Sequence, residues 1–442
     1  MNTYPDTRGL GRIAGRVARL AFIVVAGLFV ASCGSGGSGG GTTLMRVFNA
    51  VYGGSPITVT IGTSTAATAL PYEGLTVYKQ VANGSQELRV VAAGSASPIV
   101  DTTVSLAGNT QYSYVLYGTA SAPLALLIQD GPAAGLSTGQ FGVRISNAAV
   151  GNASLDVYFT NAGVPLDGVT PNISNVTLGA TSTFALITSG TFQVRFTLHN
   201  SKQVIYDGGT LTFGSGISYA LVAYSTGSGT LVNAAVLVMD STGNGNIANS
   251  SLAEFKLANA APLTGSVNVR VNGKVAFSNV PYQGITSYGI EGVGTQTVTI
   301  EAAATPGAVI ASAQAPFGPA TDASIVVTGL PGALTALVFA DNNIPGSIGN
   351  ARMRVINVAP GLGAVDVLVN FATKVSALAT NAASSYFELP ADTYTINFDL
   401  AGTTTVVLSL PAVDLTQGAG RTYTLYLMGQ PNTLAGILTR DD

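Results

Sequence analysis

The chain has 442 residues, enough for roughly three or four domains of ordinary size. Apolar residues make up 47% of it and charged residues only 9%, against about 25% in typical soluble domains, and the formal net charge is −3. This combination excludes intrinsic disorder, which pairs low hydrophobicity with high charge, and it gives nucleic-acid binding no electrostatic support. We therefore expect folded domains whose polar surface comes from Thr, Ser, Asn and Gly.

The N-terminal region predicts delivery to the cell envelope. An Arg-containing start leads to an apolar run over residues 20–30, which has the length of a signal peptide and is shorter than the ~20 residues of a membrane span. The run ends at Val30-Ala31-Ser32-Cys33, which resembles the bacterial lipobox, and Cys33 is the only cysteine. We predict a lipoprotein signal peptide over residues 1–32 and lipidation of Cys33, with an ordinary signal peptide as the alternative. A single cysteine also excludes disulfides.

Residues 33–43 contain the lipidated Cys and a Gly/Ser-rich segment, which predicts a flexible tether. Gly34 follows the Cys, and by resemblance to Gram-negative lipoproteins this residue favours the outer membrane. We therefore expect a protein of the cell envelope that is bound to the membrane through the lipid on Cys33. Its repeats would lie on the periplasmic face or on the cell surface.

Four similar units follow, with a period of about 100 residues. Each unit opens with an apolar run that carries one cation and ends at an asparagine, and each closes with an apolar strand that runs into an aspartate. The opening asparagines are Asn49, Asn147, Asn259 and Asn357, and the closing aspartates are Asp130, Asp240, Asp341 and Asp441. Linkers rich in Gly, Ser and Asn separate the units. The predicted domains are 44–131, 142–240, 252–341 and 351–442.

Each unit contains about seven short alternating strands separated by turn residues, and helical periodicity is absent outside the signal peptide. This pattern predicts an all-β protein made of four tandem immunoglobulin-like β-sandwich domains. Late in three units a tyrosine follows a loop, at Tyr112, Tyr219 and Tyr423. We interpret these residues as tyrosine corners, in which the ring is buried and the hydroxyl bonds the backbone.

An ordered set of motifs carries a resemblance to a known family. The set is Arg-Val-x-Asn-Ala, a Pro-containing turn, (Val/Leu)-Asp-Val, the Pro-Tyr-x-Gly-x-Thr-x-Tyr segments that begin at Pro71 and Pro281, and a late Tyr-rich strand. It resembles the bacterial envelope repeats catalogued as domain of unknown function 4397, and the resemblance covers nearly all of residues 44–441 in four copies. The family implies a secreted or anchored β-domain, often in tandem, with no established activity.

Catalytic chemistry has little support in the sequence. The one histidine, His199, lies in a predicted hairpin tip, so His-based zinc sites and Ser-His or Cys-His nucleophile pairs are nearly excluded. We predict a protein that is not an enzyme, with no catalytic residue, no cofactor and no metal site. The closing aspartates are interpreted as turn caps, with calcium binding between domains as an open alternative.

The leading functional hypothesis is a structural or adhesive envelope protein that binds other proteins or itself. Edge strands rich in Thr and Val, with few charged residues, suit association by strand addition. The alternative hypothesis is a surface lipoprotein that binds glycan or peptidoglycan through tyrosines at loop tips, with Tyr52, Tyr72 and Tyr282 as the candidate ligand contacts. No nucleic-acid partner is expected.

Overall fold

Residues 41–227 and 229–441 are described by a computed structural model, in which they form β-strands arranged in eight sheets. This part of the chain has no helix of the length and apolar character needed to span a bilayer. The prediction of an all-β protein with tandem β-sandwich domains is confirmed. The predicted signal peptide, Cys33 and most of the tether fall within residues 1–40, outside the described residues.

The first repeat shows the plan of the sandwich. Its eight strands are β1 (Thr43–Tyr52), β2 (Ile57–Ile61), β3 (Ser64–Leu70), β4 (Lys79–Val81), β5 (Gly84–Ala92), β6 (Val100–Leu106), β7 (Gln111–Thr119) and β8 (Ala122–Asp130). One sheet has the order β4-β1-β7-β8, and β1 pairs with β7 in parallel. The facing sheet has the order β3-β2-β5-β6. Counting strands within a repeat, we call them the 4-1-7-8 sheet and the 3-2-5-6 sheet.

The other three repeats have the same strand order. Repeat 2 comprises β9 (Gln140–Ala148), β10 (Ser154–Thr160), β11 (Ile173–Thr177), β12 (Ala185–Thr188), β13 (Gly190–Leu198), β14 (Val204–Phe213), β15 (Ser218–Ser225) and β16 (Val232–Val238), and β17 (Gly245–Ala248) pairs with β16. Repeat 3 comprises β18 (Leu252–Asn259), β19 (Val267–Val271), β20 (Lys274–Val280), β21 (Gly289–Gly292), β22 (Gly294–Ala302), β23 (Val309–Phe317), β24 (Asp322–Thr328) and β25 (Thr335–Asp341).

Repeat 4 comprises β26 (Asn350–Asn357), β27 (Val365–Val369), β28 (Ala372–Leu378), β31 (Thr393–Leu400), β32 (Val406–Asp414), β33 (Thr422–Met428) and β34 (Ala435–Arg440), and two short strands, β29 (Ala382–Ala383) and β30 (Phe387–Pro390), share the place of its fourth strand. Each repeat therefore has eight strand positions, one more than the seven expected from the sequence, and in repeat 4 two short strands share the fourth position. The domain boundaries stay a prediction, and β17 lies between the second and third predicted domains.

The burial patterns explain why the strands of the two kinds of sheet have different patterns of apolar residues in the sequence. The second strands β2, β19 and β27 alternate between buried and half-buried residues, because one face lies in the core and the other faces solvent. By contrast, every residue of β15 is buried and β1 is buried over most of its length. The central strands of the 4-1-7-8 sheets are therefore covered on both faces.

The second face of these strands is covered by a neighbouring repeat. The outer faces of the 4-1-7-8 sheets of repeats 1 and 2 form a shared apolar cluster that includes Phe48, Val115 and Ile128 on one side and Val222, Tyr224 and Leu237 on the other. Repeats 3 and 4 share a second cluster, built from Ala258, Val326, Ile356, Val358, Tyr426 and Met428. The repeats therefore pack as two pairs, 1 with 2 and 3 with 4.

Candidate functional site at the junctions between repeats

One cation of each first strand lies in the junction within a pair of repeats. In every repeat this cation stacks on an aromatic ring of the same repeat. The stacked partners are Arg46 and Tyr78, Arg144 and Phe184, Lys256 and Tyr288, and Arg354 and Tyr386, with 4.9, 4.9, 5.0 and 5.1 Å between the cation and the ring centroid. The ring packs against one face of the cation, which leaves the charge directed at the neighbouring repeat.

Repeats 3 and 4 exchange ion pairs reciprocally. Lys256 of repeat 3 binds the carboxylate of Asp441 in repeat 4, and Arg354 of repeat 4 binds the carboxylate of Asp341 in repeat 3. The four side chains are no more than 2% exposed. The pKa of Arg354 is raised: burial lowers it, but the charge of Asp341 more than compensates. Each repeat therefore neutralises a buried charge of its partner.

Repeats 1 and 2 use one carboxylate for two cations. Asp130 accepts a hydrogen bond from Arg46 at 3.1 Å and from Arg144 of repeat 2 at 3.5 Å. Arg46 also reaches into repeat 2, where it donates to the carbonyl oxygen of Val238 at 2.9 Å. Asp240 is exposed instead and caps its own turn by accepting from the backbone of Thr242.

The turn-cap interpretation of the closing aspartates is thus right for Asp240 and wrong for Asp130, Asp341 and Asp441. Asp130 ends β8, Asp341 ends β25 and Asp441 directly follows β34, and each of them binds one or two cations of the first strands. Over residues 41–227 and 229–441 no group of three or more His, Cys, Asp or Glu side chains is arranged to hold a metal ion.

The four opening asparagines are fully buried and have a structural role that the sequence did not reveal. Asn259 donates through Nδ2 to the carbonyl oxygens of Gly265 and Val280, at 2.9 and 3.0 Å, and its Oδ1 accepts from the backbone N–H of Ala261 at 3.3 Å. Asn357 makes the equivalent three bonds in repeat 4. We call this arrangement the asparagine clamp, because one side chain joins the end of the first strand, the following turn and the third strand.

Two of the predicted tyrosine corners are confirmed. The hydroxyls of Tyr112 and Tyr219 each accept a hydrogen bond at 3.0 Å from a backbone N–H five residues upstream, at Ala107 and Gly214, and both rings are buried. His199 is half-buried and lies 2.9 Å from the carboxylate of Asp156 through Nδ1.

The structure brings two of the three candidate ligand tyrosines together. The rings of Tyr52 and Tyr72 meet edge to face with 5.7 Å between centroids, and Tyr72 packs in turn on Tyr224 of repeat 2. Tyr72 donates to the carbonyl oxygen of Ser225 at 3.2 Å, and burial raises the pKa of Tyr52 to about 12. Tyr282 is half-buried in the equivalent segment of repeat 3. Ligand contact by these tyrosines stays a prediction.

The fold and the junctions define a protein of tandem, pairwise-packed β-sandwich repeats. Three segments, residues 43–158, 253–368 and 351–442, match the family model described as Domain of unknown function (DUF4397), and the chain belongs to this family. The resemblance seen in the motifs is thereby confirmed. No curated protein matches the chain.

Solved structures similar to this chain include a pilin subunit and a module solved with a bound oligosaccharide. The Bacillus anthracis TIE protein is 10% identical over 89% of this chain and 75% of its own, with a TM-score of 0.15. The family CBM26 module of Eubacterium rectale Amy13K, solved in complex with maltoheptaose, is 13% identical over 47% and 95%, also at 0.15. The Bacillus cereus major pilin subunit BcpA is 9% identical over 65% and 99%, at 0.13.

Proposed function

We propose that this protein is a non-catalytic envelope lipoprotein with a structural or adhesive role, in which copies of the chain associate by strand addition. The lipid anchor on Cys33 and the outer-membrane location are part of this proposal and rest on the N-terminal sequence. The ion pairs of Arg144, Lys256 and Arg354 with Asp130, Asp441 and Asp341 support a structural role, because each joins two neighbouring repeats.

The proposal rests on one edge of the 4-1-7-8 sheet, the edge that is formed by the eighth strand of each repeat. In repeat 2 this edge, β16, is covered by β17, a four-residue strand from the linker between repeats 2 and 3 that pairs antiparallel with it. In the described residues β8, β25 and β34 each pair with the seventh strand of their own repeat alone. The pairing of β17 with β16 supports strand addition at this edge, and in the described residues the same edge has no such cover in the other three repeats.

Among these edges β8 has the character of an association strand. Residues 122–129 contain no charged side chain, and Leu124 and Leu127 are 40% and 37% exposed. Natural edge strands are usually protected by lysine, by proline or by a covering segment. Apart from Pro123, β8 lacks these protections, so a second chain can pair with it along most of its length.

Native mass measurement of the full chain in detergent tests the proposal. We expect oligomers for the natural chain and a shift to monomer when Leu124→Lys and Leu127→Lys place charges on β8. Leu178→Lys is the matched control, because Leu178 is 37% exposed but follows β11 rather than an eighth strand. A natural chain that is monomeric at all concentrations, or oligomers that the β8 variant retains, would contradict strand addition.

Glycan binding is the second candidate. An open groove of about 490 Å³ in repeat 2 is lined by hydroxyl and amide side chains, among them Asn172, Thr177 and Thr183, and by the ring of Phe184. Sugars are bound by such combinations of hydrogen-bonding groups and an aromatic surface. A glycan array separates the two candidates. Binding that is lost with Phe184→Ala and Asn172→Ala favours the groove, binding lost with Tyr72→Ala and Tyr282→Ala favours the tyrosines, and a blank array removes this candidate.

A further inference from the structure

Repeat 1 contacts the segment that leads into repeat 4. Cγ2 of Ile344 occupies the space where a Cβ atom on Gly53 would lie, so this side chain packs directly on the backbone of Gly53. A cavity of about 180 Å³ lies beside the contact, and it is lined by Tyr52 of repeat 1 and by Arg352 and Glu388 of repeat 4. Ligand sites are frequent at such contacts between domains.

Two opposite charges line this cavity without pairing. Arg352 in β26 and Glu388 in β30 are register partners on adjacent antiparallel strands. Side chains at such positions have Cβ atoms about 5 Å apart, and opposite charges there stabilise a sheet by pairing. In the described part of the chain, however, neither residue belongs to an ion pair. The cavity therefore presents a cation and an anion that do not neutralise each other.

The guanidinium of Arg352 is fixed at one nitrogen and unoccupied along one edge. Nη1 donates to the carbonyl oxygens of Asn342 and Ile344 at 2.6 and 3.1 Å, and the group stacks on Tyr386 at 4.2 Å from the ring centroid. Nε and Nη2 have no hydrogen-bond acceptor among residues 41–227 and 229–441. Burial lowers the pKa of Arg352, and the charges around it do not compensate. Two adjacent guanidinium N–H groups are the edge that binds a carboxylate through parallel hydrogen bonds.

Glu388 is held in place by the same segment. It accepts from the backbone N–H of Ser347 at 3.0 Å, from the hydroxyl of Ser347, and from the amide nitrogen of Asn350 at 3.2 Å. Burial raises the pKa of Glu388, but these hydrogen bonds lower it further, so that its pKa lies below the usual value. Since an ionised carboxylate has about four acceptor positions, Glu388 can still accept from an ammonium group.

We propose that this cavity binds a free α-amino acid with a small side chain, such as alanine. The carboxylate of the ligand accepts from Nε and Nη2 of Arg352, and its ammonium group donates to Glu388. A ligand that carries both charges neutralises the two groups that the adjacent strands leave unpaired. The site is separate from the edge strands and from the repeat 2 groove, so it stands or falls independently of the proposed function.

The size of the cavity limits the ligand. An apolar cavity of about 150 Å³ holds benzene, and alanine has as many non-hydrogen atoms as benzene. The cavity of about 180 Å³ therefore has room for alanine but not for a long side chain. Tyr52 and Ile344, which line the cavity, offer apolar surface to a methyl group. A residue within a peptide lacks at least one of the two charges, which favours the free amino acid.

Isothermal titration calorimetry of the full chain in detergent is the direct test, with L-alanine and D-alanine titrated separately. Propionate and ethylamine are the matched ligands, because the first lacks the ammonium group and the second lacks the carboxylate. We expect saturable binding of at least one enantiomer, and at least tenfold weaker binding of propionate and of ethylamine. The bound amino acid is also expected to raise the Tm, since it binds only the folded chain.

Variants locate the binding. We expect at least tenfold weaker binding of alanine in Arg352→Gln and in Glu388→Gln. Ala120→Trp fills the cavity from repeat 1 and leaves both charges in place, and it is expected to abolish binding. Arg89→Gln is the control, because Arg89 is 44% exposed on the surface of repeat 1 and does not line the cavity. Circular dichroism verifies that the variants fold.

The titrations of the natural chain keep the test decisive should a variant fail to fold. If neither enantiomer produces saturable heat or a rise in Tm, water alone fills the cavity and the proposal is overturned. Propionate that binds as tightly as alanine would reveal a simple anion site and would overturn it equally. Alanine binding that Arg352→Gln and Ala120→Trp both retain would place the ligand elsewhere.

Discussion

At the scale of single residues, the asparagine clamp accounts for the most regular feature of the sequence. The side chain of Asn259 satisfies three backbone groups in a buried turn where strand pairing is interrupted. An amide has both donors and an acceptor, so one side chain can serve carbonyl oxygens and an N–H together. Aspartate has no donor when ionised, and alanine has neither group, so asparagine recurs at this position in all four repeats.

Replacement of Asn259 by alanine tests the clamp. It leaves two carbonyl oxygens and one N–H without a partner, at about 1–3 kcal/mol for each group that stays buried and unsatisfied. We expect hydrogen exchange to become faster in peptides that cover β18 and β20, measured by mass spectrometry. The exposed Asn161 provides the control, because its replacement by alanine is expected to change exchange little. Unchanged protection in repeat 3 would show that the clamp contributes nothing to stability.

The recurrence of this asparagine is visible in the sequence, but its role is not. Two of the three groups that Asn259 binds, at Gly265 and Val280, lie 6 and 21 residues away. They come together only after the first and third strands have taken their places in different sheets. For the same reason Glu254 and Asp322, which are register partners on β18 and β24, carry no local signal of their pairing.

At the scale of elements, burial on both faces determines what the first strand can contain. β26 packs its apolar residues against its own sandwich on one face and against repeat 3 on the other. A cation on such a strand must be neutralised within the junction, because burial of an unpaired charge is expensive. Arg354 therefore requires Asp341. The cation of the opening motif and the aspartate of the closing motif together form one buried ion pair.

Replacement of Arg354 by methionine tests this dependence. It leaves Asp341 buried without its cation, and removal of one partner of a buried ion pair typically costs about 3–5 kcal/mol. We expect a lower Tm in thermal unfolding followed by circular dichroism. The double variant Arg354→Met/Asp341→Leu is expected to regain most of the loss, because neither charge remains.

The control for this variant is Arg89→Met. Arg89 is 44% exposed and its ion pairs lie on the surface, where such pairs contribute about 0–1 kcal/mol. An equal loss for Arg89→Met and Arg354→Met, or a double variant as unstable as the single one, would refute the dependence.

The sequence predicts elements well where one face meets solvent. The alternation in β2 and β27 identifies strands and their buried faces directly. The continuous apolar runs of β1 and β15 also identify strands, but they do not indicate which surface covers the second face. The parallel pairing of the first and seventh strands joins residues about 70 positions apart, as between Arg46 and Ser113, and no local pattern reports it.

At the scale of the whole molecule, a pair of repeats rather than a single repeat is the complete unit. Separation of repeat 3 from repeat 4 would expose the apolar face that contains Ala258 and Val326, and would leave Lys256 without the carboxylate of Asp441. The covering strand β17 extends the first pair into the linker. Chains that end after a complete pair should therefore behave differently from chains that end within one.

Truncation tests this organisation. A chain of residues 1–251 contains the first pair with β17, and we expect its amide protection in β1 and β15 to match that of the full chain. A chain of residues 1–349 also contains repeat 3 without its partner, and we expect lost protection in β18 and β24, since one face of each strand meets water. Hydrogen exchange in the two chains provides the measurement. Full protection of β18 in the longer truncation would mean that each repeat folds alone and that the junctions join finished domains.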